Sequence, residues 1–128
     1  MKPRDTSAPE LGILKLLWRY QRLSAREIHN HMGVEQGWAY STSRTVLDRM
    51  VKKGQLRKAS LHGLNVYEPA VAKVPTLADM VRDFTCRVLG IRASAAIPMF
   101  AESDLLDEEE LAELEALLED SDGEEEQQ

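Results

Sequence analysis

Between Gly37 and Gly54 the chain carries Ser41, Thr42, Arg44, Thr45, Arg49, Lys52 and Lys53, short hydroxyls interleaved with cations. Groups of these types hydrogen-bond to base edges and phosphate oxygens. Thr42, Thr45 and Arg49 fall at i, i+3 and i+7, one side of a helix, whereas Val46, Leu47, Met50 and Val51 fall at i, i+1, i+4 and i+5 on another. The apolar stripe can seat the helix on a core and leave the polar side free. Ser41 or Thr42 is the expected N-cap. Gly54 after Lys52 and Lys53 ends the helix with cations at the negative end of its dipole. An ordinary amphipathic surface helix fits the same residues, so the elements around it must decide.

Upstream, Pro9 to Tyr20 places Leu11, Leu14, Leu17 and Trp18 at helical spacing, with Pro9 suited to a first turn. Ser24-Ala25-Arg26-Glu27 reads as a capping box that opens a second helix, with Ala25, Ile28 and Met32 as its apolar stripe and Gly33 as its end. Downstream, Leu56 to Ser60 and Leu64 to Glu68 are short extended runs flanking Leu61-His62-Gly63, the pattern of a hairpin. Arg57 and Lys58 add two cations to its first strand. His62 is either a turn residue or a phosphate contact. Three helices followed by a hairpin make a winged helix-turn-helix, in which the third helix enters the major groove and the hairpin stands beside it.

The charge is segregated. Residues 1–73 hold 13 Lys and Arg against 6 Asp and Glu, a net of +7, whereas residues 74–128 hold 3 against 16, a net of −13. An acidic chain with evenly mixed charge would suit nucleic acid poorly, but the electrostatic footprint is what matters, and here it is basic over the predicted winged helix. A fold of about 70 residues buries only a marginal core, so a partner chain is expected. The single cysteine, Cys86, permits no internal disulfide. No run approaches the roughly 20 apolar residues of a membrane span. Met1-Lys2-Pro3-Arg4-Asp5 lacks the apolar stretch of a secretory signal, and a cytoplasmic protein is expected.

Beyond Pro75 the pattern becomes helical. Leu77, Met80, Val81, Phe84, Val88 and Leu89 form one apolar side of a helix over Thr76 to Leu89, with Gly90 as its stop. An alanine-rich segment from Ile91 to Ala101 follows, which Pro98 must kink or end. Asp107-Glu108-Glu109-Glu110 then caps a helix with Leu111, Leu114, Leu117 and Leu118 as its stripe. These helices are too few to enclose a core of their own. Packing against the same helices of a second copy in a two-fold dimer would bury them, as would packing onto the winged helix of the same chain. The dimer is the simpler solution, with Leu77, Met80, Val81, Phe84, Val88, Leu111, Leu114 and Leu118 as its contacts. Residues 119–128 contain no apolar side chain and are expected to be disordered.

Other chemistry finds little support. His29 and His31, two apart on a helix, point to nearly opposite sides and cannot share a metal; both are expected at the surface. Cys86 lies one position off an apolar stripe and suits packing better than redox sensing. No Ser-His-Asp set, paired acid pocket, Walker loop or dinucleotide fingerprint occurs, so neither an enzyme nor a cofactor is expected.

The residues also resemble a known family. Glu10 to Trp18, Ala25 to Ile28, Gly37 to Thr42 and Arg44 to Gly54 are similar to the penicillinase repressor family of bacterial transcription regulators, which control beta-lactamase, methicillin-resistance and copper-homeostasis genes. The resemblance implies a third helix in the major groove of an inverted repeat, with Thr42, Arg44, Thr45 and Arg49 at the DNA. The wing departs from the pattern, since Gly63 is followed by Leu64 where an arginine is usual. Copper-responsive members carry a cysteine cluster that Cys86 alone does not reproduce. Where beta-lactamase-type members are cut at an Asn-Phe pair on induction, this chain has Met99-Phe100 after Pro98, which implies release by another signal or protease, of unknown identity.

Together these readings predict a mainly α protein with a small β-wing: a winged helix-turn-helix DNA-binding domain over 1–73, a helical dimerisation region over 74–119 and an acidic tail over 120–128. The expected function is a dimeric repressor of an inverted-repeat operator, with Ser41, Thr42, Arg44, Thr45, Arg49, Lys52, Lys53, Arg57 and Lys58 on double-stranded DNA and no membrane contact. The alternative is a winged-helix module that contacts only proteins. Such a module would expose a large aromatic or aliphatic anchor on its third helix, and none is evident there.

Overall fold

In the computed structural model, which describes residues 6–126, the first helix, α1, spans Ala8–Tyr20. Ser7 caps it through a reciprocal box in which its hydroxyl accepts from the Glu10 N–H and the Glu10 carboxylate accepts from its own N–H. Glu10, Ile13, Leu14 and Leu17 face inward, so the buried stripe is turned from the one the leucine spacing suggested. Leu11 and Trp18 stand at its edge, half-buried, and Trp18 Nε1 donates to the Val71 carbonyl at 3.0 Å. Residues 1–5, from which the missing secretory signal was read, lie outside the described residues.

Leu23–Ser24 forms a short strand, β1, before Ser24 caps α2, Ala25–Ile28, in the expected box with Glu27. The helix runs on as a wider π turn, His29–Gly33. Then come α3, Tyr40–Lys52, and the hairpin β2, Leu56–Leu61, with β3, Leu64–Pro69. Leu61 pairs with Leu64, which leaves only His62 and Gly63 in the turn. Both have positive φ, 52° and 79°, as the two-residue turn that follows strand twist requires. β3 is the middle of the three antiparallel strands, with β1 on its other edge through Leu23–Tyr67 and Ser24–Val66. Ile13, Leu14, Leu17, Ile28, Leu47, Met50, Leu56 and Tyr67 form the core under this sheet, all at most 2% exposed. Truncating one of these leucines to alanine costs about 2–5 kcal/mol.

The chain divides into two compact units between Lys73 and Val74. The second holds all of α4, Lys73–Arg82, but its first residue, and the helix starts earlier than expected because Pro75 fits its first turn. At Asp83 the helix widens into a π turn, Asp83–Leu89, that ends at Gly90. The extra residue per turn breaks the 3.6 period on which the apolar stripe was read. Thr85 therefore turns inward, its hydroxyl donating to the Val81 carbonyl at 2.7 Å, while Phe84 and Val88 turn outward. A 3₁₀ turn, Ala93–Ala96, leads into α5, Ile97–Ala101, and Pro98 lies in its first turn, where it starts a helix rather than ending one.

The last helix, α6, spans Glu108–Glu126. Asp107 and Glu110 cap it reciprocally, at 3.0 and 2.8 Å, and it packs on α5 and the 3₁₀ turn. Its backbone stays helical across most of the acidic run that was expected to be disordered. Once Leu114 and Leu118 have anchored the helix, each further residue adds a hydrogen bond without a new nucleus, and glutamate is a good helix former. Gln127 and Gln128 lie outside the described residues.

Candidate nucleic-acid interface

Helix α3 is held by Ser43, Leu47 and Met50, each 2% exposed or less, with Val46 and Val51 half-buried beside them. Ser41, Thr42, Arg44, Thr45, Asp48, Arg49 and Lys52 are left exposed. At about 100° of turn per residue, Thr42, Thr45 and Arg49 share one side, and Arg44 stands roughly 100–160° round from them. The Thr45 hydroxyl donates to the Ser41 carbonyl at 3.0 Å, leaving its lone pairs and methyl group to offer a base. Neither Ser41 nor Thr42 is the N-cap. Ala39 takes that place without a side-chain hydrogen bond, because the helix begins at Tyr40, one residue before the first hydroxyl.

Two polar contacts set the depth and tilt of α3. His29 Nδ1 and Ser43 Oγ share a buried hydrogen bond of 2.7 Å, joining the π turn to the helix. His29 is thus no surface residue: it is 8% exposed, while His31 is exposed beside Tyr20, their ring centroids 5.2 Å apart. Just beyond the helix, Lys53 Nζ lies 3.0 and 3.1 Å from the two Glu10 carboxylate oxygens. Burial by itself pushes the Glu10 carboxyl up, but the Ser7 N–H and the Lys53 ammonium outweigh it and hold the group below the usual carboxylate value. Lys53 was expected on DNA and is instead turned into the fold, because Glu10, the one buried carboxylate among the described residues of this unit, lies within its reach.

On the wing, Arg57 remains 67% exposed with Glu68 3.9 Å away across the hairpin. Lys58 extends over the Tyr67 ring, its ammonium 5.8 Å from the centroid. The tip is apolar rather than basic, with Leu61 39% and Leu64 56% exposed. Between wing and helices lies a cleft of about 270 Å³ lined by Arg26, Tyr40, Arg44, Lys58 and Tyr67, among others. Arg26 lies over the Tyr40 ring at 3.7 Å. Reading the sequence missed Arg26 and Tyr40, although the Ser24 capping box puts Arg26 in an exposed first turn; what brings Tyr40 beneath it is the packing of α2 on α3, which no local spacing reveals.

The residues expected at a dimer contact fall into three sets. Leu77, Leu114 and Leu118 are at most 5% exposed within a single chain, and Val74, Ala78, Ala93, Ala96 and Leu106 of the same unit are buried as well. The alanine-rich turn packs against α5 and α6. Met80, Val81 and Leu111 are half-buried, whereas Phe84 and Val88 are both 55% exposed. Leu89, Ile91 and Met99 are exposed as well. Cys86 is half-buried, 3.7 Å from the Thr85 hydroxyl. Among the described residues no group of three or more His, Cys, Asp or Glu side chains could hold a metal ion, and no single helix is long and apolar enough to cross a membrane.

This arrangement agrees with what the chain is similar to. The penicillinase repressor of Bacillus licheniformis is 26% identical over 114 residues, 89% of each chain. The methicillin resistance regulatory protein MecI of Mammaliicoccus sciuri is 22% identical over 117 residues, 91% of this chain and 95% of its own. The names are those of regulators, not enzymes. The family model described as penicillinase repressor matches residues 6–120, both compact units together, and the chain belongs to the penicillinase repressor family.

Proposed function

We propose that this protein is a dimeric transcriptional repressor that reads an inverted-repeat operator in double-stranded DNA through α3. The observation that carries the reading is the exposed side of that helix: hydroxyls, Arg49, Lys52 and a single carboxylate, Asp48, with no large apolar anchor. Hydroxyls and guanidinium groups fit base edges, and Asp48 can accept from a cytosine amino group. A helix meant for a protein partner would carry an aromatic or aliphatic anchor in a desolvated patch. The +7 charge of residues 1–73 supplies the attraction to phosphate. The names of the relatives, a penicillinase repressor and a methicillin resistance regulatory protein, support repression.

Dimerisation rests on the exposed Phe84, Val88, Leu89 and Ile91 of the second unit. A two-fold pair of recognition helices reads two half-sites, which is what an inverted repeat offers. Fluorescence anisotropy with a duplex of the promoter region, titrated across salt concentrations, tests the whole reading. If each copy neutralises roughly three to five phosphates, log K falls with log salt at a slope of about −5 to −9. Absence of duplex binding at low salt would overturn it.

A further inference from the structure

We infer that the cleft between α3 and the wing seats a phosphodiester of the operator backbone, gripped by Arg26, Arg44 and Lys58. The inference rests on the DNA-binding reading above and adds to it a site and a residue, Arg26, outside the recognition helix and the wing.

Three cations line this one cleft, and no carboxylate lines it. Among the described residues none of the three forms an ion pair. Elsewhere in the molecule Lys53 pairs with Glu10, Arg57 approaches Glu68, Arg82 meets Asp79 and Arg87 meets Asp83. A concentration of like charge without counter-charge is unfavourable in the free protein and is relieved when an anion enters.

Two of the cationic heads are also held in place. The Arg26 guanidinium lies over Tyr40 at 3.7 Å, and the Lys58 ammonium stands above Tyr67 at 5.8 Å. Stacking of this kind orients a charged side chain while leaving its N–H groups free, so less rotamer freedom is lost when the anion binds. Asn65, on the wing strand β3, adds an amide donor to the rim.

The position selects the anion. With α3 in the major groove and the hairpin beside it, the strand that separates major from minor groove runs between them, along the mouth of this cleft. The wing tip itself, Leu61 to Leu64, holds no lysine or arginine, so the phosphate grip on this side falls to the base of the wing. A phosphodiester suits an open cleft that a backbone can enter and leave.

The full-length protein with a duplex it binds, followed by anisotropy, provides the test. Arg26→Gln and Lys58→Gln are each expected to lower the salt slope by about 0.9 per chain, on cognate and random duplex alike. A fourfold rise in salt then weakens either variant about three- to fourfold less per chain than wild type. Lys15→Gln, an exposed cation on α1, keeps the wild-type slope. Methylphosphonate linkages placed singly along the duplex should reveal one neutral linkage that weakens wild type clearly more than it weakens Arg26→Gln. Circular dichroism melts confirm that the variants are folded. If wild type binds duplex and Arg26→Gln retains the full slope and the methylphosphonate response, the cleft does not hold the backbone, although the repressor reading stands. If that variant loses only inorganic pyrophosphate binding in calorimetry, the cleft belongs to a free anion and the inference is wrong. Failure of wild type to bind any duplex removes the function and the inference together.

Discussion

His29 Nδ1 lies 2.7 Å from Ser43 Oγ, a buried hydrogen bond that ties the end of the second helix to the inner face of the third. Gly33 closes over the pair so tightly that a Cβ there would collide with the His29 ring and the Ser43 hydroxyl. Helix α3 is therefore positioned by a polar joint as well as by Leu47 and Met50. Ser43→Ala should leave a buried ring nitrogen unsatisfied and cost about 1–3 kcal/mol of folding stability. Gly33→Ala should cost a similar amount by overpacking, about 1–3 kcal/mol. Urea melts giving both variants wild-type midpoints would show that the joint is not where α3 is held.

The Glu10–Lys53 pair ties stability to pH. Glu10 has a lowered carboxyl pKa in the folded chain, so it stabilises the fold above its unfolded value, and that contribution is lost as pH falls through the folded value. Lys53→Met should cost about 1–3 kcal/mol at neutral pH and noticeably less at acid pH. The wild-type melting temperature is expected to drop more steeply between pH 6 and pH 3 than that of the variant. Parallel pH profiles would refute the linkage.

Thr45 and Lys52 separate reading from positioning. Thr45→Ala removes a methyl and a hydroxyl oxygen from the exposed side of α3 and should cost about 1–3 kcal/mol at a cognate site, with little change on random DNA. Lys52→Ala should weaken both alike. Lys53 would be a poor choice for this comparison, because its ammonium is engaged by Glu10. Equal losses on both duplexes for Thr45→Ala would mean that another side of α3 faces the bases.

Phe84 and Leu114 test assembly against folding. Phe84 is 55% exposed, so Phe84→Asp should leave each chain folded while lowering dimer affinity by several kcal/mol, about the cost of an unpaired charge in an apolar contact. Leu114 is fully buried in the same chain, and Leu114→Asp should instead unfold the second unit. Sedimentation velocity on the two variants distinguishes them. A dimer unchanged by Phe84→Asp would place the contact elsewhere.

Local signals in the sequence were enough for what depends on a few consecutive residues. Ser24 with Glu27 and Asp107 with Glu110 cap the helices they announce, because a capping box closes within four residues. The hairpin around His62-Gly63 and the apolar seat of α3 on Leu47 and Met50 follow from period and turn chemistry in the same way. Tertiary structure decided what depends on phase or on distant partners. A π turn at Asp83 rotated Phe84 and Val88 out of the stripe on which the sequence placed them, since one extra residue per turn is invisible to a 3.6-residue count. Lys53 turned inward because Glu10, 43 positions earlier, stands buried beside it. Leu77, Leu114 and Leu118 found partners within one chain rather than in a second copy. Arg26, Arg44 and Lys58 belong to three elements, and only the packing of those elements brings their charges to one cleft.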